Sequence, residues 1–194
     1  MDPELYNAAI YGSSDFSERL TEVGSNIYLG QVTSQNNTIL HVAAKSGQRK
    51  LAEDVLLCSN SSLLHETNAK GNTALHIAAR LGHLEMIRLL ANKAKEQELE
   101  ADLSLLRMAN LKGDTALHEA VRNGHYQVAM FLIDEDRDLT CFVNSVGESP
   151  LFLAVDRGFY RAALHMIETS PKCSYGGRNG MNALHAAVIR AHKS

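Results

Sequence analysis

The chain has 194 residues, 45% hydrophobic and 21% charged, with a net charge of −3 when its histidines are neutral. That is length enough for a proper core, and the balance speaks against a dedicated nucleic-acid binder, which carries a strong basic excess. Three isolated cysteines without zinc-ligand or redox spacing (Cys58, Cys141, Cys173) and a longest apolar run of only 128–133 predict a cytosolic chain without a membrane span.

In chain order, one pattern recurs: a polar tip, a glycine, a capping residue, then Leu-His-x-Ala. Residues 1–32 open with a degenerate copy, Leu5-Tyr6-Asn7-Ala8-Ala9-Ile10-Tyr11-Gly12, in which Tyr6 stands for the histidine. Asp15, Ser17, Glu18, Arg19, Thr21 and Glu22 follow, which predicts a capping unit with a wet outer side. Residues 33–67 carry Thr38-Ile39-Leu40-His41-Val42-Ala43-Ala44, and 68–109 carry Thr73-Ala74-Leu75-His76-Ile77-Ala78-Ala79. Residues 110–143 carry Thr115-Ala116-Leu117-His118-Glu119-Ala120, and 144–176 a looser Ser149-Pro150-Leu151-Phe152-Leu153-Ala154. Residues 177–194 end after Asn182-Ala183-Leu184-His185-Ala186-Ala187 and a few residues more.

Each slot has a mechanical use. Thr38, Thr73, Thr115, Ser149 and Asn182 offer an acceptor to the unpaired N–H groups of a helix start. Pro150 fits the first helical position, and Gly47, Gly82, Gly124 and Gly158 fall where a left-handed cap ends a short helix. A second apolar stripe follows each glycine, as in Leu84-Ile87-Leu90-Ala91 and Val128-Phe131-Leu132. Each unit is thus tip, helix, turn, helix, and buries its apolar side only by stacking. The expected fold is an all-α solenoid of helix-turn-helix units with β-turn tips.

Successive histidine slots are 35, 42, 34 and 33 residues apart. The long interval carries about nine extra residues within 93–108, where Leu99, Leu103 and Leu106 share a helical face. They predict a lengthened second helix or a short additional one. The last unit lacks a second helix, so Leu184, Ala187 and Val188 are expected to lack cover. The chain is accordingly expected to be a piece of a longer protein.

Period and residues resemble the ankyrin repeat and its Thr-Pro-Leu-His-x-Ala signature over the whole chain. The opening Met1-Asp2-Pro3-Glu4-Leu5-Tyr6-Asn7-Ala8-Ala9-Ile10-Tyr11-Gly12, the long third unit and Asn68-Ala69-Lys70-Gly71-Asn72-Thr73-Ala74-Leu75-His76 are similar to plant ankyrin–transmembrane proteins of the accelerated-cell-death type. That resemblance implies a cytosolic array ahead of a C-terminal membrane domain, acting in defence and stress signalling. It implies a protein-binding adaptor, or alternatively a regulatory domain whose contacts are mainly to the membrane domain. Binding by this segment to nucleic acid or membrane is not expected, and a monomer is.

No catalytic residue, cofactor or metal is expected. His118-Glu119 begins like a zinc-protease motif, but the next histidine, His125, is seven positions on, past Gly124. Gly176-Gly177-Arg178-Asn179-Gly180 lacks the lysine and hydroxyl of a phosphate loop. His41, His76, His118 and His185, each beside its cap, read as structural, together with Thr38, Thr73 and Thr115. By the ankyrin resemblance, partners meet the tips and the exposed side of the inner helices. Those positions are Lys45, Lys70, Asn72, Arg80, Leu81, Leu111, Lys112, Asp114, Arg122, Asn123, Val146, Glu148, Asp156, Arg157 and Arg178. Seven are basic and three acidic, which points to an acidic partner segment. The alternative is that Lys45, Arg80, Arg122 and Arg157 only complement helix dipoles, worth about 0.3–1 kcal/mol each.

Overall fold

A computed structural model of the protein describes residues 1–12, 29–59, 62–97 and 104–192. Among them are eleven α-helices and no strand. They are α1 (Pro3–Tyr11), α2 (Ile39–Ser46), α3 (Arg49–Cys58), α4 (Ala74–Leu81), α5 (Leu84–Gln97), α6 (Ser104–Arg107), α7 (Ala116–Arg122), α8 (Tyr126–Glu135), α9 (Pro150–Arg157), α10 (Tyr160–Thr169) and α11 (Ala183–Ala191). The chain forms two compact units, residues 1–78 with 83–105 and residues 79–82 with 106–194.

Capping works as the residue types demand. Thr38, Ser149 and Asn182 accept from the backbone N–H three residues on, and Asp2 does the same service for α1 ahead of Pro3. Tyr6, in the histidine slot, is half-buried. The outer residues expected to follow it, 15–22, lie outside the described residues.

In unit 1, α1 packs on α2, α2 on α3, and α3 on α5. In unit 2, α7, α9 and α11 pack in succession as inner helices, while α8 and α10 pack as outer ones. Buried alanines make this possible: Ala43 and Ala44 in unit 1, and Ala116, Ala120 and Ala154 in unit 2, leave no room for larger side chains between helices. The leucine of each signature (Leu40, Leu75, Leu117, Leu151) is fully buried. Each contributes about 1.5–3 kcal/mol of apolar burial. Leu184, in the same slot of the last inner helix, is 68% exposed, and Val188 and Ile189 are exposed beside it. Ala187 is half-buried.

The extra residues both lengthen an outer helix and add a short one. Helix α5 has 14 residues where α3, α8 and α10 have 10. After it, α6 buries Leu106, and Arg107 grips the buried Asp136 carboxylate at 2.6 and 3.0 Å. Leu99 and Leu103 lie outside the described residues.

The residue after each helix-ending glycine seats the neighbouring repeat. Gln48 donates to the Ile10 carbonyl and His83 to the Lys45 carbonyl in unit 1. His125 donates to the Arg80 carbonyl at 2.9 Å in unit 2. Each lies over the glycine two residues past that carbonyl, Gly12, Gly47 and Gly82, all with φ between 70 and 77°. At Gly82 an added Cβ would overlap the His125 ring as well as strain the left-handed backbone. Gly82→Ala is therefore expected to cost roughly 1–3 kcal/mol, read as a lower urea midpoint. A neutral result would show that this ring is not seated.

Candidate functional site: the tips and the charge network beneath them

The first four tips are each built on one side chain that the signature does not contain. In unit 1, Asn68 Oδ1 accepts from the N–H groups of Lys70 and Asn72 at 2.9 and 3.1 Å, and Thr33 Oγ1 accepts likewise from Gln35 and Asn37. In unit 2, Asn110 holds Lys112 and Asp114, and Asn144 holds Val146 and Glu148. The glycine of each tip, or Asn36 in the first, supplies the positive φ that the reversal needs. Neighbouring tips are then tied together: Ala69 N–H to the Gln35 carbonyl in unit 1, Ser145 N–H to the Lys112 carbonyl in unit 2, both 2.9 Å.

The histidines lock tip to helix and to the next repeat. In His118 the Nδ1 atom accepts from Thr115 N–H at 3.2 Å, and Nε2 lies 3.1 Å from the Glu148 carbonyl. A backbone N–H can only donate and a carbonyl only accept, so the ring is neutral with its proton on Nε2. His41 makes the same pair of bonds, to Thr38 N–H and the Asn72 carbonyl. Burial pushes both imidazoles down, His118 to about 4. His76 repeats the bond to Thr73, and Thr38, Thr73 and Thr115 are all buried. His185 differs: it bonds to Asn182 but its ring is exposed.

Unit 2 carries a charged network with no counterpart in the uncharged Asn37 and Asn72 slots. The Asp114 carboxylate is fully buried and takes both ends of the Arg122 guanidinium, at 2.5 and 2.9 Å. Asn144 Nδ2 donates to Asp114 at 2.9 Å and to Glu148 at 3.1 Å. Glu148 also receives Arg122 at 3.3 Å and Arg178 at 3.0 Å, and Arg178 reaches on to Asp156 at 3.2 Å. Burial works against both buried carboxylates, but the Arg122, Arg178 and Asn144 bonds outweigh it and hold Asp114 and Glu148 below the usual range. Glu119, packed nearby with Asn110 as a donor, is raised by its burial.

These contacts correct the expected surface at several residues. Asn72, Asp114 and Glu148 are buried rather than presented, because the tip turns inward immediately before the cap. Arg122 is bound to Asp114 and Arg178 to Glu148 and Asp156, so neither serves merely as a dipole counter-charge or a loose cation. In unit 1, Lys45 and Lys70 are exposed. In unit 2, Leu81, Lys112, Asn123 and Arg157 are exposed, and Arg80 is half-buried. Leu111 and Val146, 76% and 61% exposed, stand on adjacent tips over a concavity of about 510 Å3 whose wall includes Lys112, Arg122 and Ser145.

Among the described residues no group of His, Cys, Asp and Glu is placed to hold a metal ion, and no helix is long and apolar enough to cross a membrane. A family model described as ankyrin repeats (3 copies) matches residues 54–143 and 99–174. No curated protein matches the chain.

Proposed function

Because the chain belongs to the ankyrin-repeat family, whose repeats generally mediate protein–protein interaction, we propose that it is an adaptor gripping an acidic segment of its partner on the tip face of unit 2. We place it in signalling and, on the likeness of its opening residues to the plant ankyrin–transmembrane proteins, in defence and stress. The observation that carries the reading is the pair Leu111 and Val146, two large apolar side chains held out on hydrogen-bonded turns above one concavity. Apolar groups rigidly displayed around a cleft are what a partner's side chains desolvate.

Charge supports the partner's sign. Asp114 and Glu148 are buried and bonded to Arg122 and Arg178, while Lys112 and Arg157 are exposed. A partner approaching the tips meets ammonium and guanidinium groups before it meets carboxylate.

The test is to isolate the partner with the full chain and measure its affinity for tip variants. Leu111→Asp with Val146→Asp is expected to weaken binding about 30-fold or more. Lys112→Glu with Arg157→Glu is expected to weaken it and flatten its dependence on salt. Unchanged affinity in both pairs would place the partner elsewhere on the molecule.

A further inference from the structure

Cys141 and Cys173 are isolated in the sequence, yet unit 2 sets them side by side, because they sit one repeat apart. Cys141 closes the 3-10 turn Arg137–Cys141 after α8, and Cys173 lies in the turn after α10. The Thr140 carbonyl accepts from Ser174 N–H at 3.0 Å. The Cys141 thiol donates to the Lys172 carbonyl at 3.2 Å, and that carbonyl is bonded to the nitrogen of Cys173.

These two bonds bound the separation. Standard covalent geometry keeps the two α-carbons within about 8 Å, and Cys141 Sγ within about 6 Å of the Cys173 α-carbon. A disulfide needs α-carbons about 4.4–6.8 Å apart. Burial pushes the Cys173 thiol up, and the charge of Cys141 adds to the push, so the sulfurs feel one another. Their settings differ: Cys141 is exposed and Cys173 is buried.

We propose that Cys141 and Cys173 form a thiol–disulfide site, in which exposed Cys141 meets the oxidant, buried Cys173 resolves it, and adjacent repeats become cross-linked. The oxidant is a small-molecule disulfide of the glutathione class. The Cys141 thiolate attacks one of its sulfurs, forming a mixed disulfide and expelling one glutathione thiolate. Cys141 Sγ then swings from the Lys172 carbonyl toward Cys173. The Cys173 thiolate attacks it, the protein S–S bond forms, and the second glutathione leaves. The protein loses two protons and two electrons, and one glutathione disulfide becomes two glutathiones.

The cross-link closes a loop that spans α9 and α10, which removes unfolded-state freedom and raises the melting temperature of the oxidised chain by roughly 5–15 °C. It also anchors the segment 173–176, which leads directly to the tip carrying Arg178.

The experiment equilibrates the full chain in glutathione buffers of increasing oxidised fraction, then denatures, alkylates and maps it by mass. The expected result is a Cys141–Cys173 linked peptide within one chain, Cys58 still alkylated, and a melting temperature that falls back on adding dithiothreitol. Cys173→Ser should trap glutathione on Cys141, and Cys141→Ser should leave Cys173 free. Glutathione on Cys141 of the unsubstituted chain with Cys173 still alkylated, or a link only between chains, would overturn the proposal. The map of the unsubstituted chain decides even if Cys173→Ser does not fold.

Discussion

Replacing Arg122 with alanine should destabilise unit 2 by about 3–5 kcal/mol, more than any change at an exposed tip residue. The arginine side chain is 24% exposed and sits on a carboxylate that is completely enclosed. Without it, Asp114 keeps the Asn144 amide but loses its two-pronged guanidinium, and Glu148 loses one of its two arginines. Removing one partner of a buried pair leaves the other's desolvation uncompensated, and that penalty exceeds what the pair contributes net. A double change separates the two quantities. Asp114→Asn with Arg122→Ala restores the uncharged side chain found at Asn37 and Asn72, so most of the loss should return. Urea unfolding of the two singles and the double gives the coupling directly. If the costs simply add, the pair is not coupled. The acid side is equally specific. Asp114 and Glu148 are depressed in the folded state, so their contribution is present above about pH 4 and lost as pH falls through their folded values. In Arg122→Ala the deficit should shrink in acid, where Asp114 takes up a proton and no longer carries a buried charge.

The scaffold was readable because repetition averages out local ambiguity. The Leu-His-x-Ala phrase, its cap and its glycine recur often enough to place every inner helix, and the small residues show which faces meet. The charged network was not readable. Asp114 and Glu148 look like ordinary polar surface in the sequence, since nothing in a period of 33 reveals that the position before the cap turns inward. The available signal was the Asn at Asn68, Asn110 and Asn144, always five residues before the cap and three before the tip glycine. An Asn that must satisfy two N–H groups of its own turn has its amide nitrogen left to reach the neighbouring repeat, and Asn144 uses it on Asp114. The histidine after Gly82 and Gly124 illustrates the same limit. His83 and His125 were visible as a second periodic slot, but their hydrogen bonds to the preceding repeat's carbonyls exist only in the stack. The two cysteines were hidden likewise, since a separation of one repeat carries no redox signature in the sequence.

Acidification should weaken the fold, and His118 carries a large share of the loss between pH 6.5 and 4. Burial is the main cause of its low pKa of about 4, opposed by Asp114 and by the bond to the Glu148 carbonyl, with Arg122 adding to the depression. Geometry gives the same direction. A proton on Nδ1 would face Thr115 N–H at 3.2 Å, donor against donor, and would leave only the Thr115 hydroxyl, 2.9 Å away, as an acceptor on that side. In the unfolded chain the same imidazole titrates near 6.5. The folded state therefore binds fewer protons between those values, and stability falls as pH drops from 6.5 toward 4, then levels for this group. The span corresponds to about 3 kcal/mol. His41, lowered by its own burial, adds in the same direction. Urea midpoints between pH 7.5 and 4.5 should fall steadily, and His118→Gln should start lower at pH 7.5 yet decline less. The His118 ring resonance should stay at its neutral position to pH 5. A ring at position 118 that protonates near 6.5 without loss of stability would mean that its two backbone bonds do not hold the repeats together.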